Sequence, residues 1–219
     1  MKKKIGVVLS GCGVYDGSEI HEAVITLLAL DRRGAEAICC APDVSQMHVV
    51  DHLTGQAVPG QTRNVLTESA RIARGKVRDV ARVQAAELDG LILPGGFGAA
   101  KNLCDFATAG AGCQVNPDVA RLVREVHAQR KPVGAVCIAP ALLARVLGTE
   151  SPELTIGNDA GTAAKLEQMG ARHVDCPAGE MVVDQKRKLV TSPAYMLAQS
   201  ISEAAEGIDK AVGALLDMA

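Results

Sequence analysis

Residues 132–148 read Pro132-Val133-Gly134-Ala135-Val136-Cys137-Ile138-Ala139-Pro140-Ala141-Leu142-Leu143-Ala144-Arg145-Val146-Leu147-Gly148. Pro132–Val136 predicts a short apolar strand, and Ala139–Leu147 predicts a helix that follows it almost without a loop. A nucleophile at such an elbow sits in a strained backbone, and small residues two places before and after let the chain fold that closely. Ala135 and Ala139 meet that demand, and Gly134 adds room. The start of a helix just beyond Cys137 favours its thiolate and is expected to lower the thiol pKa. The same cysteine reads equally well as an inert thiol buried at a strand end.

Working outward, strand-like and helix-like segments alternate almost to the C-terminus. Ile5–Ser10 is an apolar run ending in Gly11-Cys12-Gly13. Ser18 is placed to cap a helix whose apolar residues Ile20, Val24, Leu27, Leu28 and Ala29 recur at helical spacing until Gly34. Glu36–Ala41 predicts a second strand. Asp89–Leu93 predicts another, ending at Pro94-Gly95-Gly96. Asn116-Pro117-Asp118 opens a helix running to about Arg130. Strands near Leu154–Ile156, Arg172–Val174, Glu180–Val183 and Leu189–Thr191 are expected to complete the sheet, with a helix at Gly161–Met169. A last helix is expected from about Ala194. This order predicts one α/β domain over residues 1–219, a doubly wound, flavodoxin-like, mostly parallel sheet with helices on both faces. Residues 44–87 form an elaborated connection, and residues 105–115 a small insertion.

Composition narrows the function. With no Trp, two Phe and two Tyr in 219 residues, the chain lacks the stacking aromatics that single-stranded nucleic acid binding uses. Its net charge of −2 creates no strong field toward phosphates or anionic membranes. No apolar stretch approaches the roughly 18 residues of a membrane span. Seven cysteines, an odd number without CxxC spacing, suggest a reducing compartment and no disulfide framework. A cytoplasmic protein is expected, with no nucleic acid and no membrane partner.

Two further segments bear on Cys137. Pro94-Gly95-Gly96 ends another central strand, so its N–H groups belong at the same carboxyl edge of the sheet. The N–H of Gly96 and that of Ile138 are candidates for an oxyanion hole. Glu19 and Glu22 lie three apart, on one face of the first helix, and either carboxyl could exchange a proton with Cys137. Cys12, after the first strand, is a possible accessory thiol that would resolve an oxidised Cys137. His48 and His52 stand at i, i+4, yet no third ligand is near, and no metal site is assigned. His21 is expected to face solvent, and His173 to be a surface residue at a strand end. Gly11-Cys12-Gly13 with Gly17 is spaced GxGxxxG, one residue away from the dinucleotide pattern.

Taken together, SGCGVYDGSEIHEAV, HLTG, RNVLTESARIARG, LDGLILPGGFGAAKNL, PVGAVCIAPALLARVLG and LTIGND resemble the DJ-1/PfpI group of the class I glutamine-amidotransferase-like superfamily. The resemblance is closest to its ElbB/ES1 branch, labelled enhancing lycopene biosynthesis, and spans nearly the whole chain. It implies a nucleophile at Cys137, oxyanion donors at Gly96 and Ile138, and a cysteine-bonding glutamate at Glu22. Glu19 is the alternative, because the preceding loop is longer here. The late His-x-Glu of amidotransferases and the histidine that many relatives carry after the elbow helix are both absent. By resemblance, the expected activity is that of a cofactor-independent glyoxalase, a lyase turning glyoxal or methylglyoxal into glycolate or lactate. Deglycation would be an apparent activity of the same chemistry. Relatives commonly form homodimers, and no cofactor is expected beside the small dicarbonyl substrate. The competing readings are a cysteine hydrolase or amidase acting on a small acyl substrate, and a non-catalytic redox sensor or stress-protective protein.

Overall fold

In the computed structural model, which describes residues 2–219, each apolar run named above lies inside or beside a strand. The first half of the chain contains β1 (Lys4–Val8), α1 (Ile20–Arg32), β2 (Glu36–Ala41), β3 (Val50–Asp51), β4 (Gln56–Ala57), α2 (Val65–Ile72) and β5 (Arg78–Asp79). There follow β6 (Gly90–Leu93), α3 (Phe97–Lys101), α4 (Phe106–Ala109), α5 (Pro117–Ala128), β7 (Val133–Val136) and α6 (Pro140–Leu147). The remainder is β8 (Glu153–Leu154), α7 (Ala160–Gln168), β9 (Arg172–His173), β10 (Val182–Asp184), β11 (Leu189–Ser192) and α8 (Ile201–Met218).

Seven strands form one sheet in the order β10-β11-β7-β6-β1-β2-β5. All neighbours are parallel except β10 and β11. From β1 the chain winds outward through β2 to β5, then crosses to β6 and winds the other way. The resulting switch point lies between β1 and β6, where open α/β sheets place their ligands.

Because successive strand residues face opposite ways, the sheet feeds two cores. Ile5, Val7, Ile92 and Val136 pack with α1 and α8 residues such as Leu30, Ile208 and Leu215. Val8, Leu91, Leu93, Val133 and Ala135 pack with α5 and α6 residues such as Leu122, Val126 and Leu143. Strands buried on both faces carry no polar alternation, which is why they read as continuous apolar runs.

Several expectations need correction. Glu19, not Ser18, caps α1: its carboxylate accepts the Glu22 N–H at 2.7 Å. The Ser18 hydroxyl instead accepts the Ser10 N–H at 2.9 Å, tying the loop to the end of β1. β8 and β9 pair with each other in a separate small sheet and do not extend the main one. The last helix begins at Ile201, because Ser200 caps it and residues 194–196 form a single tight turn. The His173 side chain is only 5 % exposed, and its Nε2 accepts the Ile156 N–H at 3.3 Å. It is a buried tie between β9 and the segment after β8, where a surface residue was expected.

Candidate active site

At the carboxyl end of β7 the chain leaves the ladder at once. The Cys137 N–H still donates to the Ser192 carbonyl at 2.9 Å, but Cys137 itself has φ +60°. That left-handed conformation is uncommon for a residue with a Cβ, and it turns the side chain out of the strand's alternation. α6 starts at Pro140, whose missing N–H costs nothing at a helix's first turn. The Ile138 N–H thereby lies beside the sulfur, unclaimed by the helix.

Two glycines make the crowding possible. A Cβ on Gly95 would stand 2.5 Å from the Cβ of Cys137 and 2.7 Å from Glu22 Oε2. One on Gly96, which has φ +91°, would collide with the backbone nitrogen of Glu19. β6 therefore presses the Gly95-Gly96 turn against both the nucleophile candidate and the start of α1. The Gly95 carbonyl completes the clasp by accepting the Glu19 N–H at 3.0 Å.

Of the two glutamates, Glu22 faces the thiol, and its side chain is wholly buried. Oε2 accepts the Gly95 N–H at 3.0 Å, and Oε1 accepts the Tyr195 N–H at 3.2 Å. The carboxyl and the Cys137 thiol are hydrogen-bonded. Burial, reinforced by the neighbouring Glu19 charge, raises the Glu22 pKa to about 8 against the pull of those N–H groups. The Cys137 thiol is also pushed up, first by burial and then by the Glu22 charge, while the Gly96 and Ile138 N–H groups pull it down. A lowered thiol pKa was expected from the helix start; desolvation and an adjacent carboxyl outweigh two amides and a short dipole. Both shifts favour the neutral groups, and Glu22, the first of the two to ionise, is the base placed to take the thiol proton.

Cys137 borders a cleft of about 440 Å³, with Glu22 behind it. Its lining includes Val14, Phe97, Phe106, Ile138 and Met196, with Tyr195 beside Cys137. Tyr195 is missing from the sequence reading altogether. Its N–H fixes Glu22, and its hydroxyl lies 2.8 Å from Nδ1 of the exposed His21. Phe106 and Ala107 come from the small insertion, Thr162 and Lys165 from α7.

Other candidates fall elsewhere. Cys12 feels the charges of Arg71, Glu68, Asp16 and Arg63, none of which belongs to the Cys137 cluster, and it does not line the cleft, so its placement lends the accessory role no support. The Gly11–Gly17 loop is closed by its own backbone and by Ser69, whose hydroxyl accepts the Gly11 N–H. His52 Nδ1 lies 3.1 Å from the Val50 carbonyl and its Nε2 accepts the Tyr15 N–H, while His48 is exposed. Among the described residues no three His, Cys, Asp or Glu side chains are grouped to hold a metal ion. A wider hollow of about 880 Å³ includes Lys2, Lys3, Arg33 and Ala35, at the opposite, amino edge of the sheet.

Known proteins are similar to this chain over nearly its whole length. The chain is 49 % identical to the human glutamine amidotransferase-like class 1 domain-containing protein 3, mitochondrial, over 98 % of this chain and 83 % of that one. It is 46 % identical to the rat ES1 protein homolog, mitochondrial, over 99 % and 84 %. Both relatives are named mitochondrial, which overturns the expectation of a cytoplasmic protein. A crystal structure of an isoprenoid biosynthesis protein with an amidotransferase-like domain from Ehrlichia chaffeensis superimposes with a TM-score of 0.92. It is 38 % identical, and 99 % of each chain is covered. The model of the DJ-1/PfpI family matches residues 13–203. With the sheet order, the elbow and these relatives in agreement, the chain belongs to the DJ-1/PfpI family.

Proposed function

We propose that the protein is a glutathione-independent glyoxalase of the lyase type, with Cys137 as nucleophile and Glu22 as proton shuttle. One observation carries this reading: the buried Glu22 carboxyl and the buried Cys137 thiol both close on the Gly95 turn, where an added Cβ would stand 2.7 Å from Glu22 Oε2 and 2.5 Å from the Cys137 Cβ, with the Gly96 and Ile138 N–H groups beside the sulfur. Isomerising a 2-oxoaldehyde needs just such a set. Ionised Glu22 takes the Cys137 thiol proton, the sulfur attacks the aldehyde carbon to form the C–S bond, and the carbonyl electron pair moves to oxygen beside the Gly96 and Ile138 N–H groups. Glu22 protonates that oxygen. Now a carboxylate, it removes the C–H proton, and the electron pair flows onto the ketone oxygen to give an enediolate. A proton passes between the two oxygens. Glu22 then returns its proton to the former ketone carbon, leaving a 2-hydroxyacyl thioester on Cys137. Water, deprotonated by Glu22, attacks this thioester; the C–S bond breaks, the thiolate returns, and lactate or glycolate leaves with the release of one proton.

Glu19 does not take the shuttle role in this scheme, because its carboxylate is engaged with the Glu22 N–H. The amidase reading gains less support. Among the described residues no histidine lines the cleft, so no imidazole stands beside Cys137 to protonate a leaving amine. The test is lactate formation from methylglyoxal by purified protein without glutathione, compared with Cys137→Ser and Glu22→Gln. Turnover retained by Cys137→Ser rejects the proposal.

A further inference from the structure

Building on that proposed chemistry, the cleft bears on which 2-oxoaldehyde the site takes. A hollow of about 440 Å³ has room for roughly fifteen water-sized volumes, whereas methylglyoxal fills about five. A substrate that small would leave most of the cleft wet and untouched. The unused part is largely apolar. Phe106 is buried against α7, and Phe97 and Met196 present further apolar surface. The Lys165 stem passes over Gly110, and its ammonium group caps the Phe106 ring at 5.8 Å, so the wall from α4 and α7 holds an aromatic face together with a methylene chain. Close to the sulfur the character reverses. Glu19 borders the cleft beside the Glu22–Cys137 pair, so an anionic group adjoining the reacting carbons meets like charge.

We infer that the preferred substrate is a 2-oxoaldehyde bearing a neutral, apolar chain of several carbons on its ketone carbon, laid between Phe97, Phe106 and Met196. The aldehyde reaches Cys137, and the chain displaces water from the α4–α7 wall. Each methylene moved from water into such a wall is worth about a threefold gain in kcat/KM.

The experiment measures kcat/KM without glutathione for methylglyoxal, butylglyoxal and hexylglyoxal. The expected result is a rise of about threefold per methylene. Ala107→Phe, at an exposed position on the cleft wall, should lower the hexylglyoxal-to-methylglyoxal ratio by about tenfold. In parallel, calorimetry on Cys137→Ser compares hydroxyacetone with the hydroxyketone obtained by reducing the aldehyde of hexylglyoxal, both unable to react. Tighter binding of the longer compound is expected. A flat or falling series with methylglyoxal turnover intact overturns the chain inference and leaves the glyoxalase reading standing. Absence of turnover with every glyoxal, together with chain-dependent binding, removes the glyoxalase reading and keeps the apolar-chain site. Absence of both overturns both.

Discussion

Cys40, in the carboxyl half of β2, and Cys137, one residue past the end of β7, are both buried thiols, and they have opposite prospects. Cys40 stays within its ladder, in register with Val8, and its carbonyl accepts the Leu9 N–H at 2.8 Å. Burial above all, with the neighbouring Cys39 next, pushes its thiol up to about 12, and no carboxyl is hydrogen-bonded to it. Burial pushes Cys137 up as well. What separates them is the left-handed backbone of Cys137, the acid beside it and the two N–H groups aimed at its sulfur. Burial by itself makes a thiol inert. Burial beside a proton acceptor and amide donors yields one whose proton has somewhere specific to go.

The largest test of that contrast is nucleophile removal. Cys137→Ser should lower dicarbonyl turnover by at least about 10³-fold, whereas Cys40→Ala should leave kcat unchanged in the same lactate assay. Next comes the acid. Glu22→Gln retains the shape and removes the transferable proton, and should cost about 10²–10⁴ in kcat. Gly96→Ala ranks third. The added Cβ meets the Glu19 backbone and the φ of +91° disfavours it, so a loss of about 10² in kcat with ~1–3 kcal/mol of stability is expected from steady-state kinetics and denaturant melts.

The fourth test is pH. Folding raises the Glu22 pKa from 4.5 to about 8, so between those values the folded chain holds a proton that the unfolded chain has released. Stability therefore falls as pH rises through that window, by an amount on the order of a few kcal/mol. Glu22→Gln should flatten this part of the stability profile, measured by urea melts across the window. An unchanged slope in the variant would show that the carboxyl ionises as readily in the folded chain as in the unfolded one. The smallest effect is at the comparison thiol: Cys40→Ala should cost about 1 kcal/mol of stability through lost packing.

How much of this was legible in the sequence differs by segment. β1, β6 and β7 were readable because a strand covered on both faces must be continuously apolar, and each runs into a glycine turn or the elbow, while β2 was bounded by Gly34 before it and Pro42 after it. The Cys137 elbow was readable because only small residues fit two places to either side. The choice between Glu19 and Glu22 was left open, since both lie on one helix face; it is decided by the Gly95 turn pressing on one of them. Tyr195 was invisible, because it contributes a backbone N–H that any residue except proline could supply. Its position depends on Ala194 at φ +44°, in a stretch whose Ala and Leu content reads as helix. The direction of the thiol shift was missed for a related reason. A helix start shows in sequence, while the depth of burial beside it is a property of the assembled sheet.

The Glu22 carboxyl is held by an N–H lying 173 positions further along the chain, on Tyr195, and Cys137 is anchored to Ser192. During synthesis from the N-terminus, thiol and acid emerge long before either anchor does. A partly translated chain therefore carries Cys137 without its finished mounting, and the proposed chemistry would become available only with the last portion of the polypeptide. A truncation between residues 138 and 191 would leave Cys137 in the chain without the Ser192 carbonyl and the Tyr195 N–H that set it against Glu22.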